Sequence, residues 1–184
     1  MPNKIALGKT YGLELWLKPS AFVGFGAVWL GLSAIGFYVL PRISFGAGSL
    51  TLLESLCAAL VCACLHWLSE MLHQLGHAGA ARGTGYPMRG ILFVHVLAFS
   101  LYPRDEPELS GRIHVRRALG GPMVSFVVTV IALLILLAAQ TVGGMFYWIA
   151  AFFFFDNLLV FTLGAFLPLP FTDGGTLVKY WGKP

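Results

Sequence analysis

Long apolar runs separated by short polar segments dominate the chain, and four of these runs are long enough to cross a bilayer as helices. The first run ends at Pro41-Arg42, and the tight turn "VGGM" joins the third to the fourth. The second run exceeds the roughly 20 residues that a span needs, so its last turns should emerge from the bilayer or be sheltered by other protein. The predicted spans cover residues 21–40, about 49–77, 118–140 and 145–167.

The segments outside the spans complete the predicted fold. Residues 1–20 are basic and amphipathic, without the pattern of a cleavable signal peptide, and we expect them to lie along the membrane surface. In the central loop, residues 82–117, the stretch "ILFVHVLAF" does not alternate cleanly, which leaves open a short β region or a re-entrant helix. The sequence therefore predicts an all-α membrane protein of about four transmembrane helices, with a short membrane-associated β or re-entrant segment between the second and third. Residues 21–184 would form a single transmembrane domain.

Composition and charge support this assignment. Hydrophobic residues make up 58% of the chain and charged residues 11%, with a mean hydropathy of +0.80, whereas soluble domains carry about 25% charged residues. All Lys and Arg residues except Arg42 fall on the N-terminal segment, the central loop or the C-terminal tail, which predicts that both termini are cytoplasmic. We expect Arg112, Arg116 and Arg117 to anchor to lipid headgroups and assign the central loop no chemistry. The positive charge needs no nucleic acid to explain it.

The second span carries a row of ionisable residues. From His66 the intervals to Glu70, His73 and His77 are four, three and four residues, which is the helical repeat that keeps side chains on one face. Such a stripe at the end of an apolar helix is costly unless it faces a partner, a cavity or a metal. The two histidines four apart, followed by the small residues of "GHAGAA", predict a metal site that other backbone can approach closely.

Zinc would require a third protein ligand, and the chain offers few candidates. His95 and His114 lie in the central loop, and Asp156 lies inside the fourth span, where we expect an interhelical hydrogen bond. Asp173 follows the fourth span in "LPLPFTDGGTL", an extended Pro-x-Pro stretch that leads into a tight turn. Non-helical backbone at membrane depth needs shelter from protein or a cavity, so Asp173 is the preferred candidate.

In its motifs the chain resembles the site-2 protease family of intramembrane zinc metallopeptidases. "HQLGHAGAARGTGYP" is similar to the family's His-Glu-x-x-His helix, "MRGILFVHVLAFSLYP" stands at its β region, "ALGGPMVSF" at its Gly-Pro helix start and "AFLPLPFTDGG" at its Asn-x-x-Pro-x-Pro-x-x-Asp-Gly segment. The motifs follow in the same order over residues 66–177. The resemblance implies zinc as the cofactor, with His73, His77 and Asp173 as its ligands.

Three positions depart from the family pattern in one direction. Gln74 stands where the catalytic glutamate is expected, Ser125 where the Gly-Pro motif leads to an asparagine, and Ala165 where an asparagine precedes the Pro-x-Pro stretch. A glutamate can take up a proton and return it, and an amide can do neither. Losing general acid–base help costs about 10²–10⁴ in rate, and losing oxyanion donors costs a further 10²–10³ or so. We therefore expect peptide hydrolysis to be nearly abolished, whether Gln74 is natural or an engineered trap.

Two functions follow from the resemblance. The first is a catalytically impaired membrane protein, a pseudoprotease that keeps a zinc site and binds transmembrane helices as a subunit, assembly factor or regulator of a membrane complex. The alternative is an active intramembrane zinc endopeptidase that cleaves transmembrane substrates near the cytoplasmic face. Glu70, one turn before His73, would then replace the missing base, although we expect it instead to support His73 or Gln74. A transporter or proton relay is disfavoured because four spans show no repeat.

Overall fold

Four long helices form most of the structure. The computed structural model describes residues 4–42 and 48–183, and within them four helices are long and apolar enough to cross a membrane, as the sequence predicted. A π-helical and a 3₁₀ turn extend the first of them to Arg42 and the fourth to Phe166. The helices are α1 (Ser20–Ala34), α2 (Leu52–Arg82), α3 (Gly111–Ala139), α4 (Gly144–Asp156) and the short α5 (Asp173–Tyr180). The predictions for residues 1–3, for 43–47 between the first two spans and for Pro184 fall outside the described residues.

Helix α2 is the central element, and its 31 residues exceed the length of one span. It begins with a capping box in which the Thr51 hydroxyl accepts from the Glu54 amide and the Glu54 carboxylate accepts from Thr51. Its first half is buried through small side chains, which let neighbouring helices approach closely. These residues are Ser55, Ala58, Ala59, Cys62 and Ala63, each fully buried.

Helices α2 and α3 cross at two glycines. A methyl group on Gly120 would lie 2.5 Å from the carbonyl oxygen of Gly76 and 2.6 Å from Cβ of Ala80, and one on Gly76 would overlap the Gly120 carbonyl. Only glycine therefore permits this separation of the two backbones. The crossing lies between His73 and His77 along α2, so the close approach brings α3 against both histidines.

A four-stranded sheet covers one end of the helices. Its strands are β1 (Ile5–Thr10), β2 (Leu13–Leu17), β3 (Gly90–Val94) and β4 (Leu97–Leu101), and they lie in that order. The central segment is thus a β-hairpin, which settles the choice between strands and a re-entrant helix. The N-terminal segment adds an antiparallel pair that joins the hairpin through the parallel pairing of β2 with β3. The sequence did not predict this pair, so the all-α class needs a small sheet added to it.

Candidate metal centre

Three side chains, two from α2 and one from the start of α5, converge at the crossing of α2 and α3. The Nε2 atoms of His73 and His77 are 3.0 Å apart. Asp173, the first residue of α5, places Oδ2 3.2 Å from Nε2 of His73 and Oδ1 3.3 Å from Nε2 of His77. The structure brings together the two histidines and the aspartate selected from the sequence, and the group could hold a metal ion.

The far nitrogen of each histidine ring has its own partner. Nδ1 of His77 lies 2.8 Å from the carbonyl oxygen of Arg117, which can only accept, so Nδ1 carries the proton and Nε2 has a free lone pair. The longer 3.3 Å approach of the Gly121 amide to the same nitrogen is secondary. Nδ1 of His73 lies 2.9 Å from the hydroxyl of Ser125, which can accept in the same way. Such partners orient metal-binding histidines and fix their tautomer.

The spacing of the three groups fits zinc. Donors about 2.0–2.1 Å from a tetrahedral zinc ion lie about 3.3 Å from one another. The distances between Nε2 of His73, Nε2 of His77 and the Asp173 carboxylate are 3.0 to 3.3 Å. Two imidazoles and one carboxylate are also a donor set that zinc favours, with a fourth position open.

Asp173 is held by the backbone turn around it. The Thr172 hydroxyl caps α5 by accepting from the Gly175 amide, and a methyl group on Gly174 would overlap the carbonyls of Phe166 and Leu167. This packing fixes the start of α5 beside the end of the fourth span. Burial alone would raise the pKa of the Asp173 carboxyl, but its close contacts with the rings of His73 and His77 outweigh burial and hold that pKa below its usual value. The carboxylate is therefore available in its charged form.

Gln74 does not point into the space between the three groups. Its side-chain nitrogen donates to the Ala98 carbonyl on β4 at 2.9 Å, and its oxygen accepts from the Ser100 hydroxyl at 2.8 Å. Glu70 accepts from the Ala98 amide at 2.6 Å. Gln74, at the position of the lost base, and Glu70, the possible substitute for it, are thus both engaged with the hairpin.

The polar stripe of α2 divides into two rows. His73 and His77 face α3 and α5, whereas Glu70 and Gln74 face the hairpin and His66 contacts both the hairpin and Asp156 of α4. The interval of three between Glu70 and His73 marks the step from one row to the other. The spacing predicted that His66, Glu70, His73 and His77 share one face. In the structure they are separated by the elements that they contact.

The other candidates for the third ligand lie away from this group. Asp156 makes the interhelical contact expected of it, with both oxygens 3.1 Å from Nδ1 of His66 on α2. His95 occupies the turn between β3 and β4 with a positive φ of 55° and is exposed. His114 on α3 stacks on Tyr180 of α5 with ring centroids 4.0 Å apart.

Arg117 is a site residue that the sequence analysis misplaced. It was expected to anchor to headgroups, but it is 4% exposed and contacts Glu106 of the central loop at 2.5 Å. Its guanidinium also packs on the Tyr102 ring, and its backbone carbonyl accepts from His77. The nearest signal in the sequence was Pro122, whose missing N–H leaves the carbonyl of Ala118, the residue after Arg117, without its helical donor.

A cavity of about 640 Å³ opens beside the three converging side chains. Its walls combine apolar residues of β4 and of the π-helical and 3₁₀ turns that follow α4 with polar residues of the hairpin and the central loop. The site end is formed by Glu70, His73, Gln74, His77 and Asp173, and the apolar side includes Leu97, Phe99, Leu159, Phe161 and Ala165. The space is large enough for side chains of a second polypeptide.

Comparison with known proteins places the fold. No protein-family model and no curated protein sequence matches the chain. Among solved structures, the chain is similar to the site-2 protease from Methanocaldococcus jannaschii, with 21% sequence identity and a TM-score of 0.57. The similarity covers 96% of this chain and 70% of that one. The chain therefore has the fold of a site-2 protease, and its apolar helices indicate a multi-pass membrane protein.

Proposed function

We propose that the protein is a zinc-binding, site-2-protease-like membrane protein that does not hydrolyse peptides. It would serve instead as a subunit, assembly factor or regulator of a membrane complex by holding a transmembrane helix of a partner. The observation that carries the proposal is the combination of a His73, His77 and Asp173 group with an amide at position 74 whose donor and acceptor are both used by the hairpin.

Each residue of the group has a defined task in this proposal. His73 and His77 offer their Nε2 lone pairs, with Ser125 and the Arg117 carbonyl orienting the rings, and Asp173 supplies negative charge. Zinc bound there would act as a Lewis acid. Gln74 can neither accept nor return a proton, and the Glu70 carboxylate is occupied by the Ala98 amide. Among the described residues, the site thus offers ligands for a metal, and the carboxylate nearest to Gln74 on α2 is directed to the hairpin.

The first test is the metal content of the purified protein by elemental analysis. We expect about one zinc per chain, lost in both His73→Ala and Asp173→Ala. His95→Asn is the matched control, because it removes an exposed histidine outside the group and asparagine tolerates the positive φ at this turn. Zinc absent from the parent protein, or retained in both site variants, would refute the metal part of the proposal.

The second test addresses activity. The parent protein and Gln74→Glu are incubated in detergent with single-span polypeptides, and cleavage is followed by mass spectrometry. The proposal expects no cleavage by either protein, since Ser125 and Ala165 also depart from the family pattern. Cleavage by the parent protein would favour the alternative of an active endopeptidase, and cleavage by Gln74→Glu alone would indicate that glutamate is the natural residue.

A further inference from the structure

Three side chains on one ridge of α2 bind the outer edge of β4. His66, Glu70 and Gln74 are four residues apart, so they lie one above the other along the helix. Nε2 of His66 is 2.9 Å from the carbonyl oxygen of Val96, where the chain enters β4. One turn further along α2, Glu70 accepts from the N–H of Ala98. After another turn, Gln74 donates to the C=O of Ala98. These side chains thus bond the backbone at the start of β4, on the side where a neighbouring strand would pair.

This row satisfies groups that would otherwise be open to other chains. β4 is the last strand of the sheet and pairs with β3 on one side only. The unpaired N–H and C=O groups of a terminal strand are a template for another extended segment. Ala98 is buried, and both of its backbone polar groups are bonded to α2 side chains. The edge is therefore closed at Ala98.

The chemistry at position 74 requires an amide. The Ala98 oxygen can only accept, so the Gln74 nitrogen must face it, and the Ser100 hydroxyl then donates to the Gln74 oxygen. An ionised glutamate at position 74 carries no donor, so the Ala98 carbonyl would face a carboxylate oxygen in place of the N–H that it accepts from Gln74. Buried acceptors without donors are strongly unfavourable.

We propose that Gln74 is a positioning residue that closes the free edge of β4 onto α2. It acts through the hairpin and independently of metal binding, and it fixes one wall of the cavity. While Gln74 and Glu70 hold Ala98, no other extended chain pairs with β4 at this residue. The amide at position 74 thus has a structural role in holding β4, in addition to removing a base from the site.

Hydrogen exchange of the full-length protein in detergent micelles tests this role, followed by mass spectrometry on peptides that contain β4. We expect Gln74→Glu to speed exchange in the β4 peptide by about 5-fold to 100-fold, since a buried carbonyl loses its donor. Peptides from α1 and from the second half of α3 should keep the rates of the parent protein. Gln140→Glu is the matched control, because it makes the same chemical change at an exposed residue after α3.

A double-variant cycle separates positioning from general destabilisation. Gln74→Met keeps the length of the side chain without its polar atoms, and Ser100→Ala removes the hydroxyl that bonds the amide. If Gln74 positions β4 through Ser100, the double variant should exchange no faster than Gln74→Met alone. Additive effects of the two substitutions, β4 exchange in Gln74→Glu at the parent rate, or equal acceleration in every peptide would overturn the proposal.

Zinc content of the same preparations keeps this inference distinct from the proposed function. A parent protein without zinc but with a slowly exchanging β4 would refute the metal site and support the closed edge. A parent protein that contains zinc, and whose β4 exchanges at the same rate as in the Gln74 variants, would support the metal site and refute the closed edge.

Discussion

At the residue scale, the proposed metal site requires the absence of a side chain as much as its three donors. Gly121 lies against both histidine rings, and a methyl group there would lie 2.5 Å from Nε2 of His73 and overlap Nε2 of His77. The space between the donors is therefore kept open by a glycine on α3. The sequence shows only a Gly-Pro pair. That Gly121 faces the two histidines follows from the crossing of α2 and α3, which the sequence does not reveal.

Gly121→Ala should accordingly abolish zinc binding. The methyl group would occupy the space that the ion needs next to both Nε2 atoms, and elemental analysis of the purified variant measures the loss. Gly79→Ala is the control, because Gly79 is on exposed α2 surface and a methyl group there meets nothing within 4 Å. Full zinc content in Gly121→Ala would contradict the location of the site.

Ser125 provides a subtler residue-scale test. Its hydroxyl is the partner of Nδ1 of His73, and partners of this kind typically contribute 10-fold to 100-fold in metal affinity, so Ser125→Ala should weaken zinc binding by about that factor. Competition with a chelator of known affinity gives the measurement. Ser33→Ala is the comparison, since Ser33 is buried on α1 and bonds only the Trp29 carbonyl of its own helix. Equal affinities of the two variants would argue against a role for Ser125.

At the element scale, the helices could be predicted, the hairpin was one of two alternatives, and the N-terminal strand pair was missed. The spans at 21–40 and 145–167 lie within a few residues of the observed helices, because twenty or more consecutive apolar residues have few other structures available. α3 begins at Gly111, seven residues before the predicted 118, since its first two turns are polar and periodicity of hydropathy does not detect them. β1 and β2 were missed because they are short, and their place in the sheet depends on β3, more than 70 residues away in the chain.

The site residues could be predicted where the signal was local along the chain. Spacing on α2 and the turn before α5 were local signals, and they selected the three residues that the structure brings together. The partners of the two histidines are not local, because Ser125 and Arg117 reach α2 only through the crossing of α2 and α3. His73, His77 and Asp173 as zinc ligands remain a prediction that metal analysis must test.

The pairing of α2 with α4 offers an element-scale prediction. His66 has an oxygen partner at each ring nitrogen, the Asp156 carboxyl at 3.1 Å and the Val96 carbonyl at 2.9 Å, an arrangement that suits a charged imidazole paired with a carboxylate. Removing one member of a buried ion pair costs about 3–5 kcal/mol, because the other charge is left without compensation. His66→Leu and Asp156→Leu should each lower the free energy of unfolding by that amount.

The double variant should be more stable than either single variant. With both charges replaced by leucine, no uncompensated charge remains, and an apolar pair of similar volume is often neutral or better. Denaturant unfolding in mixed micelles gives the three values. Destabilisation that simply adds in the double variant would mean that the two side chains do not interact.

At the scale of the whole molecule, the distribution of charge predicts an orientation. If all four long helices span the bilayer, the N-terminal strands, the hairpin, the central loop and α5 lie on one side, together with every Lys and Arg except Arg42. Basic residues concentrate on the cytoplasmic side of membrane proteins, so the metal centre should lie near that face. The turn between α3 and α4 should then lie on the opposite side.

Cysteine labelling of intact cells tests this orientation. In a background with Cys57, Cys62 and Cys64 replaced by alanine, single cysteines are placed at Lys9, at Lys183 and at Thr141 in the α3–α4 turn. A membrane-impermeant maleimide should label Thr141→Cys in intact cells and label Lys9→Cys and Lys183→Cys only after permeabilisation. The reverse pattern would place the metal centre at the outer face, and labelling of Lys9→Cys but not Lys183→Cys in intact cells would mean that the number of spans is odd.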